Sequence, residues 1–264
     1  MSHIHIPDGV LPWWLVAVGW LLTAAGVALA TRQINRQQLH RRVPLVGAVA
    51  ALMLVAMSSE IVPIAYHVNL TVVAGILLGP WLAIVTALVV NTFLGLIGHG
   101  GVTVIGLNTV VIAIEMVLGW LLFGLLRRLL GRGRASWAAG LATIASLAMS
   151  TTLLVAIVAV AGPKAATRDS GALDPATLHF GNPFSAGVVR NALVAPEKEE
   201  PLPRLSVARF ASMVYVLGSF GWAIEALVTA AIIGFVARAR PSLIFEEETL
   251  DPSIARAVGY GSHH

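Results

Sequence analysis

The chain has 264 residues, of which 57% are hydrophobic and only 11% charged, and its mean hydropathy is +0.84. A soluble domain is about one quarter charged, so this much apolar surface requires lipid as its solvent. The net charge of +4 does not indicate nucleic acid, because there are only two lysines, Lys164 and Lys198, and the arginines cluster between apolar runs. With no cysteine in the chain, disulfides, zinc thiolates and iron–sulfur clusters are excluded, and a metal must be held by nitrogen or oxygen, or weakly by methionine sulfur.

The N-terminal stretch carries no Lys or Arg before Leu11, and its apolar run reaches Thr31. This reads as a first membrane helix rather than a cleaved signal peptide. Apolar segments follow over roughly 11–31, 44–64, 70–97, 104–126, 137–161 and 208–236. Five of these fit one crossing each at about 20 residues per helix. The segment 70–97 is either one long helix or two legs turning at Gly79-Pro80, because proline interrupts the helical ladder and glycine permits the turn.

Charge favours two legs. Arg32, Arg36, Arg41 and Arg42 form one basic loop, Arg127, Arg128, Arg132 and Arg134 a second, and Arg238 with Arg240 a third. Short basic loops stay in the cytoplasm, and all three do so only if 70–97 crosses twice. The expectation is an all-α membrane protein of about seven transmembrane helices, N-terminus outside and C-terminus cytoplasmic. Its parts are an N-terminal metal-binding arm (1–10), a bundle of six crossings (11–161), an extracytoplasmic loop (162–207) rich in Pro, Gly and charge, a last helix (208–240) and a cytoplasmic tail (241–264).

This topology sends His3, His5, His67 and His99 to the outer face from three separate places in the chain. His40 falls in a basic loop, His179 in the long loop, and His263 and His264 at the C-terminus. Imidazole suits nickel, cobalt, copper and zinc, although a single interfacial histidine is more often no ligand. The start Met1-Ser2-His3 adds a sharper feature. With Met1 removed, the Ser2 amine, the His3 backbone nitrogen and the His3 imidazole close two adjacent chelate rings, and a fourth nitrogen completes a square. Such planar nitrogen coordination favours Ni(II) or Cu(II). Ile6-Pro7-Asp8-Gly9 is a turn signal that bends the arm back towards the bundle, and Asp8 is also a candidate cap for the first helix.

Glu60, Asn91, Asn108, Glu115 and Glu225 interrupt apolar runs. An ionised carboxylate at bilayer depth costs about 2.5–3.5 kcal/mol on insertion scales, so each must face the interior, a wet cavity or a partner. Interhelical hydrogen bonding is the expectation for Asn91, Asn108 and Glu115, contact with a partner subunit is an option for Glu225, and the functional and structural readings balance for Glu60. Gly47 with Ala51, and Ala226 with Ala230, have the spacing that lets helices approach closely.

His5-Ile6-Pro7-Asp8-Gly9 resembles the N-terminal signature of the CbiM/NikM family, the metal-binding membrane (S) components of energy-coupling-factor (ECF) cobalt and nickel transporters. The resemblance continues through Val62-Pro63-Ile64, His67, Leu78-Gly79-Pro80-Trp81, Gly98-His99-Gly100-Gly101, Gly106-Leu107-Asn108-Thr109, Glu225-Ala226-Leu227-Val228-Thr229 and Arg240-Pro241. It implies a seven-helix bundle with the N-terminus inserted from outside. The implied metal is held by the terminal amine, the second residue's backbone nitrogen and imidazole, and a histidine after the second helix, which His67 matches. Family members usually place Met directly before the motif histidine, here His5. Counted from the amine after loss of Met1, His3 takes the second place. Ring closure favours His3, with His5 as a nearby or alternative ligand and His99 at the same face.

The chain has no GxxxxGK[ST]. The resemblance therefore implies separate ATPase subunits, a coupling transmembrane subunit and a small accessory membrane subunit in the cytoplasmic (inner) membrane, with Co2+ or Ni2+ as cargo and no bound cofactor. An intramembrane metal-dependent hydrolase is the competing class, but it commonly needs HExxH, which this sequence lacks, and Glu60 is the only acidic residue near His67 in sequence. A metal-binding membrane protein without transport is the third reading.

Overall fold

A computed structural model describes residues 11–34, 36–58, 67–97, 100–161 and 207–245. The described residues form six α-helices: α1 (Trp13–Gln33), α2 (Arg36–Ser58), α3 (Thr71–Leu96), α4 (Ile105–Leu130), α5 (Ala135–Ala161) and α6 (Val207–Ala239). Short 3-10 turns follow α4 at Arg132–Arg134 and α6 at Pro241–Leu243. Five of the helices are long and apolar enough to cross a membrane, and α2 contributes a shorter apolar stretch, Arg42–Ser58. The chain is a multi-pass helical membrane protein.

The basic stretch expected as a loop between the first two spans is instead the start of α2, which begins at Arg36. Gln, Leu and Arg are good helix formers, so the polar run extends the helix. Pro44 inside α2 removes one ladder bond, a loss that membrane helices tolerate.

The break expected at Gly79-Pro80 is present. Gly79 has φ 74° and ψ 174°, far from helical values, inside α3. The first leg, 71–78, is about 12 Å long at 1.5 Å per residue, less than half the ~30 Å hydrocarbon thickness. It begins in the middle of the bundle, where Thr71 meets Glu115 of α4. The turn lies at the basic end: Gln33, Arg42, Gly79, Pro80, Arg127, Arg128 and Ser242 line one crevice there. Thus the three arginine-rich regions and the turn of α3 share one end of the molecule, with the start of α1 at the other.

The helices pack around α4, which touches α1, α3 and α5, while α6 packs against α5 and α2 against α3. Small residues set the closest approaches. A Cβ on Gly19 would lie 2.7 Å from the backbone nitrogen of Leu107, one on Gly106 would lie 2.7 Å from the Trp20 nitrogen, and one on Gly75 would collide with the Met116 carbonyl. The α1–α4 contact is locked by Thr23 Oγ1 donating to the Gly106 carbonyl at 2.6 Å and by Trp20 Nε1 donating to the Thr103 carbonyl at 2.8 Å. Ala226 and Ala230 face Gly140 of α5, so their spacing serves packing within the chain. Gly47 and Ala51 are exposed, and a Cβ at Gly47 would meet no atom within 4 Å.

Candidate metal-capture site

Between α2 and α3 the described chain resumes at His67 and runs without helix to Leu70. His67 is half-buried and its Nε2 is closed off from solvent. Two residues on, the backbone N–H of Asn69 donates to Glu225 Oε1 of α6 at 2.5 Å. Leu70 then takes a left-handed conformation, φ 56° and ψ 15°, which costs a branched residue roughly 1–2 kcal/mol. Thr71 opens α3 and its hydroxyl donates a short bond to Glu115 Oε1 of α4. The second oxygen of Glu115 accepts from Ser150 of α5 at 2.6 Å.

The segment 69–71 is therefore clamped at both ends by carboxylates from two different helices. Glu115 and Glu225 are 0% and 3% exposed, and the hydrogen bonds they accept offset part of the cost of burying carboxylates. Such charge-assisted bonds are individually worth more than neutral ones. The clamp also offsets the backbone strain at Leu70. Its effect is to hold the chain just after His67 in one conformation inside the bundle. Asn69 adds a polar atom: its Nδ2 is buried and has no hydrogen-bond partner among the described residues.

Of the residues expected to bind metal, His67 is described, whereas Ser2, His3, His5 and His99 lie outside the described residues, as does Glu60. Among the described residues no group of three or more His, Asp or Glu side chains forms a cluster able to hold a metal ion. Glu115 bonds between helices as expected. Asn91 does not: its Nδ2 donates to Ala87 O of its own helix at 2.9 Å, four residues back, where α3 itself offers the nearest acceptor. Within the chain, Glu225 accepts from the Asn69 backbone, because the segment opening α3 folds in against α6. Sequence reasoning did not single out Asn69, Thr71 or Ser150. The available signal was the polar pair Asn69 and Thr71 opening an otherwise apolar run.

A bundle of apolar helices joined through buried carboxylates defines a polytopic helical membrane protein. The family model for CbiM, the cobalt uptake substrate-specific transmembrane region, matches residues 5–243, and the chain belongs to this family. A protein of Haloquadratum walsbyi assigned by name to metal transport is 29% identical over 259 residues, covering 95% of this chain and 99% of that one. Cobalt transport protein CbiM of Geobacter sulfurreducens is 33% identical over 147 residues, covering 52% of this chain and 42% of that protein. The fold matches the crystal structure of a truncated transition metal transporter with a TM-score of 0.67 at 16% identity, over 89% of this chain and 99% of that one. A second transition metal transporter structure matches with a TM-score of 0.65 at 14% identity, over 97% of this chain and all of the other.

Proposed function

We propose that this chain is the substrate-specific membrane component of an ATP-driven, energy-coupling-factor importer, and that it captures Co2+ or Ni2+ at the outer face of the cytoplasmic membrane. In this reading the two legs of α3 count separately, giving seven membrane segments, with the N-terminus outside and the C-terminus in the cytoplasm. The ligands are the Ser2 amine, the His3 backbone nitrogen and imidazole, and His67. His5 is the alternative N-terminal ligand and His99 a neighbour at the same face. ATPase subunits, a coupling transmembrane subunit and a small accessory membrane subunit supply the energy. Planar nitrogen ligation favours nickel over cobalt at equilibrium.

The observation that carries the reading is the position of His67, immediately before a segment held by Glu225 and Glu115. A ligand on a fixed segment binds metal without first being ordered, which is the role of outer-sphere hydrogen bonding in metal sites. Asn69 Nδ2, two positions after His67, is a buried donor with no partner among the described residues.

The test is metal content and N-terminal residue by mass spectrometry, on protein purified with an untagged N-terminus after growth with nickel and cobalt. His3→Ala, His5→Ala and His67→Ala are measured alongside. Stoichiometric metal on a chain beginning at Ser2, lost in His3→Ala and His67→Ala but kept in His5→Ala, supports the chelate. Loss in His5→Ala and His67→Ala alone assigns the arm's ligand to His5. Metal retained in His67→Ala removes the site altogether. Whole-cell accumulation with the partner subunits present then separates import from binding without flux.

A further inference from the structure

Motifs that metal capture does not use converge at the opposite, basic end of the molecule. Leu78-Gly79-Pro80-Trp81 turns α3 there, Arg127 and Arg128 end α4, and the Pro241–Leu243 turn folds the chain after α6 back towards them. Together with Arg42 of α2 they line a crevice of about 730 Å3. Its chemistry is divided. One part holds Arg127 and Arg128, which end α4, with Arg42 of α2 also on the lining. Arg127 is oriented by the ring of Phe245, 5.3 Å below its guanidinium carbon. The other part is the apolar flank of α4, where Trp120, Leu121 and Leu125 line the crevice and are also 38%, 51% and 54% exposed. That flank continues to Leu129, 72% exposed.

Arginines at helix ends are common in membrane proteins, where they orient the chain. These differ in sharing one crevice whose wall is continuous with the exposed apolar stripe. The pairing selects an amphiphile: a phosphate head for the guanidinium groups, which suit phosphate oxygens, and acyl chains for the leucine stripe. The geometry points to a binding site for an anionic phospholipid, with the phosphate on Arg127 and Arg128 and the acyl chains along Trp120, Leu121 and Leu125. Basic pockets between membrane helices bind acidic headgroups in this way.

The test is native mass spectrometry of the full chain from mixed micelles containing phosphatidylglycerol and phosphatidylcholine. The wild type retains phosphatidylglycerol selectively. The Arg127→Gln/Arg128→Gln double variant binds it roughly thirtyfold more weakly, at on the order of 1 kcal/mol per arginine at an anionic surface. A charge-matched Arg134→Gln/Arg240→Gln variant, outside the crevice, changes binding less than twofold. If the glutamine variant does not fold, Leu125→Asp, which places a negative charge on the acyl wall, gives the same loss while leaving the arginines in place. An equal fall in the crevice variant and its charge-matched control assigns the effect to net surface charge and overturns the site. Displacement of the lipid by inorganic phosphate at equal concentration makes it a site for a free anion and overturns the lipid assignment. Selectivity that emerges only when Glu246, Glu247 and Glu248 are changed to Gln makes the chain's own carboxylates the occupant, with the same consequence.

Discussion

Asn69 and Glu225 are 156 positions apart in sequence and joined by one bond, the Asn69 backbone N–H donating to Glu225 Oε1 at 2.5 Å. A main-chain donor cannot be removed by substituting its own side chain, so the carboxylate is the partner to change. Glu225→Ala leaves a buried N–H without an acceptor, a penalty of about 1–3 kcal/mol. It also releases the segment that follows His67. Loss of an outer hydrogen bond of this kind typically weakens metal affinity 10–100-fold. Glu225→Gln keeps a carbonyl oxygen in place and is expected to retain most of both. Isothermal titration with Ni2+ and thermal unfolding in detergent check the pair. Wild-type affinity in Glu225→Ala would show that His67 is held by something other than this bond.

The second end of the clamp makes a different prediction, because Thr71 and Ser150 donate to opposite oxygens of one carboxylate. Thr71→Val and Ser150→Ala each remove one donor. Interhelical bonds in membrane proteins average about 0.6 kcal/mol and reach about 1.7 kcal/mol, so each single change is expected to fall in that range. The double change is expected to depart from their sum, since both hydroxyls donate to one carboxylate and groups sharing one network are not additive. In a Glu115→Leu background both effects should largely vanish. Additive losses that persist in that background would place the two hydroxyls in separate roles.

The helices were legible because lipid leaves a strong pattern: long apolar runs bounded by arginines, and a Gly-Pro pair where α3 breaks. The start of α2 was misread because membrane-span reasoning ends a helix where polarity begins, whereas Arg36–Arg42 continues the helix outside the apolar stretch. The clamp was not legible. Asn69, Thr71 and Ser150 are ordinary polar residues in sequence, and their importance comes from meeting Glu225 and Glu115 across helices, which no local periodicity records. Asn91 illustrates the converse, a polar residue in an apolar run that bonds only its own helix.

Close helix approach can be tested at glycines with opposite surroundings. A Cβ at Gly75 collides with the Met116 carbonyl, and one at Gly119 would lie 2.9 Å from Val72 Cγ1, while nothing lies within 4 Å of one at Gly47. Gly75→Ala must push α3 from α4, and overpacking of this kind costs about 1–3 kcal/mol. Gly47→Ala adds a methyl to an exposed helical site and is expected to be neutral or stabilising by up to about 1 kcal/mol. Thermal unfolding of the two variants in the same detergent should rank Gly75→Ala well below Gly47→Ala. The reverse ranking would mean that α3 and α4 sit further apart than described.

The proposed orientation rests on the arginines and is open to direct labelling, because the chain has no native cysteine to remove. Arg134 and Ser242 are exposed at the basic end, and Val102 is 51% exposed near the start of α4 at the other end. Single cysteines at these positions are expected to react differently with a membrane-impermeant maleimide in right-side-out vesicles. Val102→Cys should label in intact vesicles, and Arg134→Cys and Ser242→Cys only after permeabilisation, since short basic segments are retained in the cytoplasm. That outcome places the start of α1 outside, where the arm can meet a metal arriving from the medium. The opposite pattern would put the arm in the cytoplasm, and capture for uptake would then require a different site. Labelling of all three positions in intact vesicles would instead indicate two orientations in one membrane, a result that adding arginines to the Arg132–Arg134 turn should convert to the first pattern if charge sets the topology.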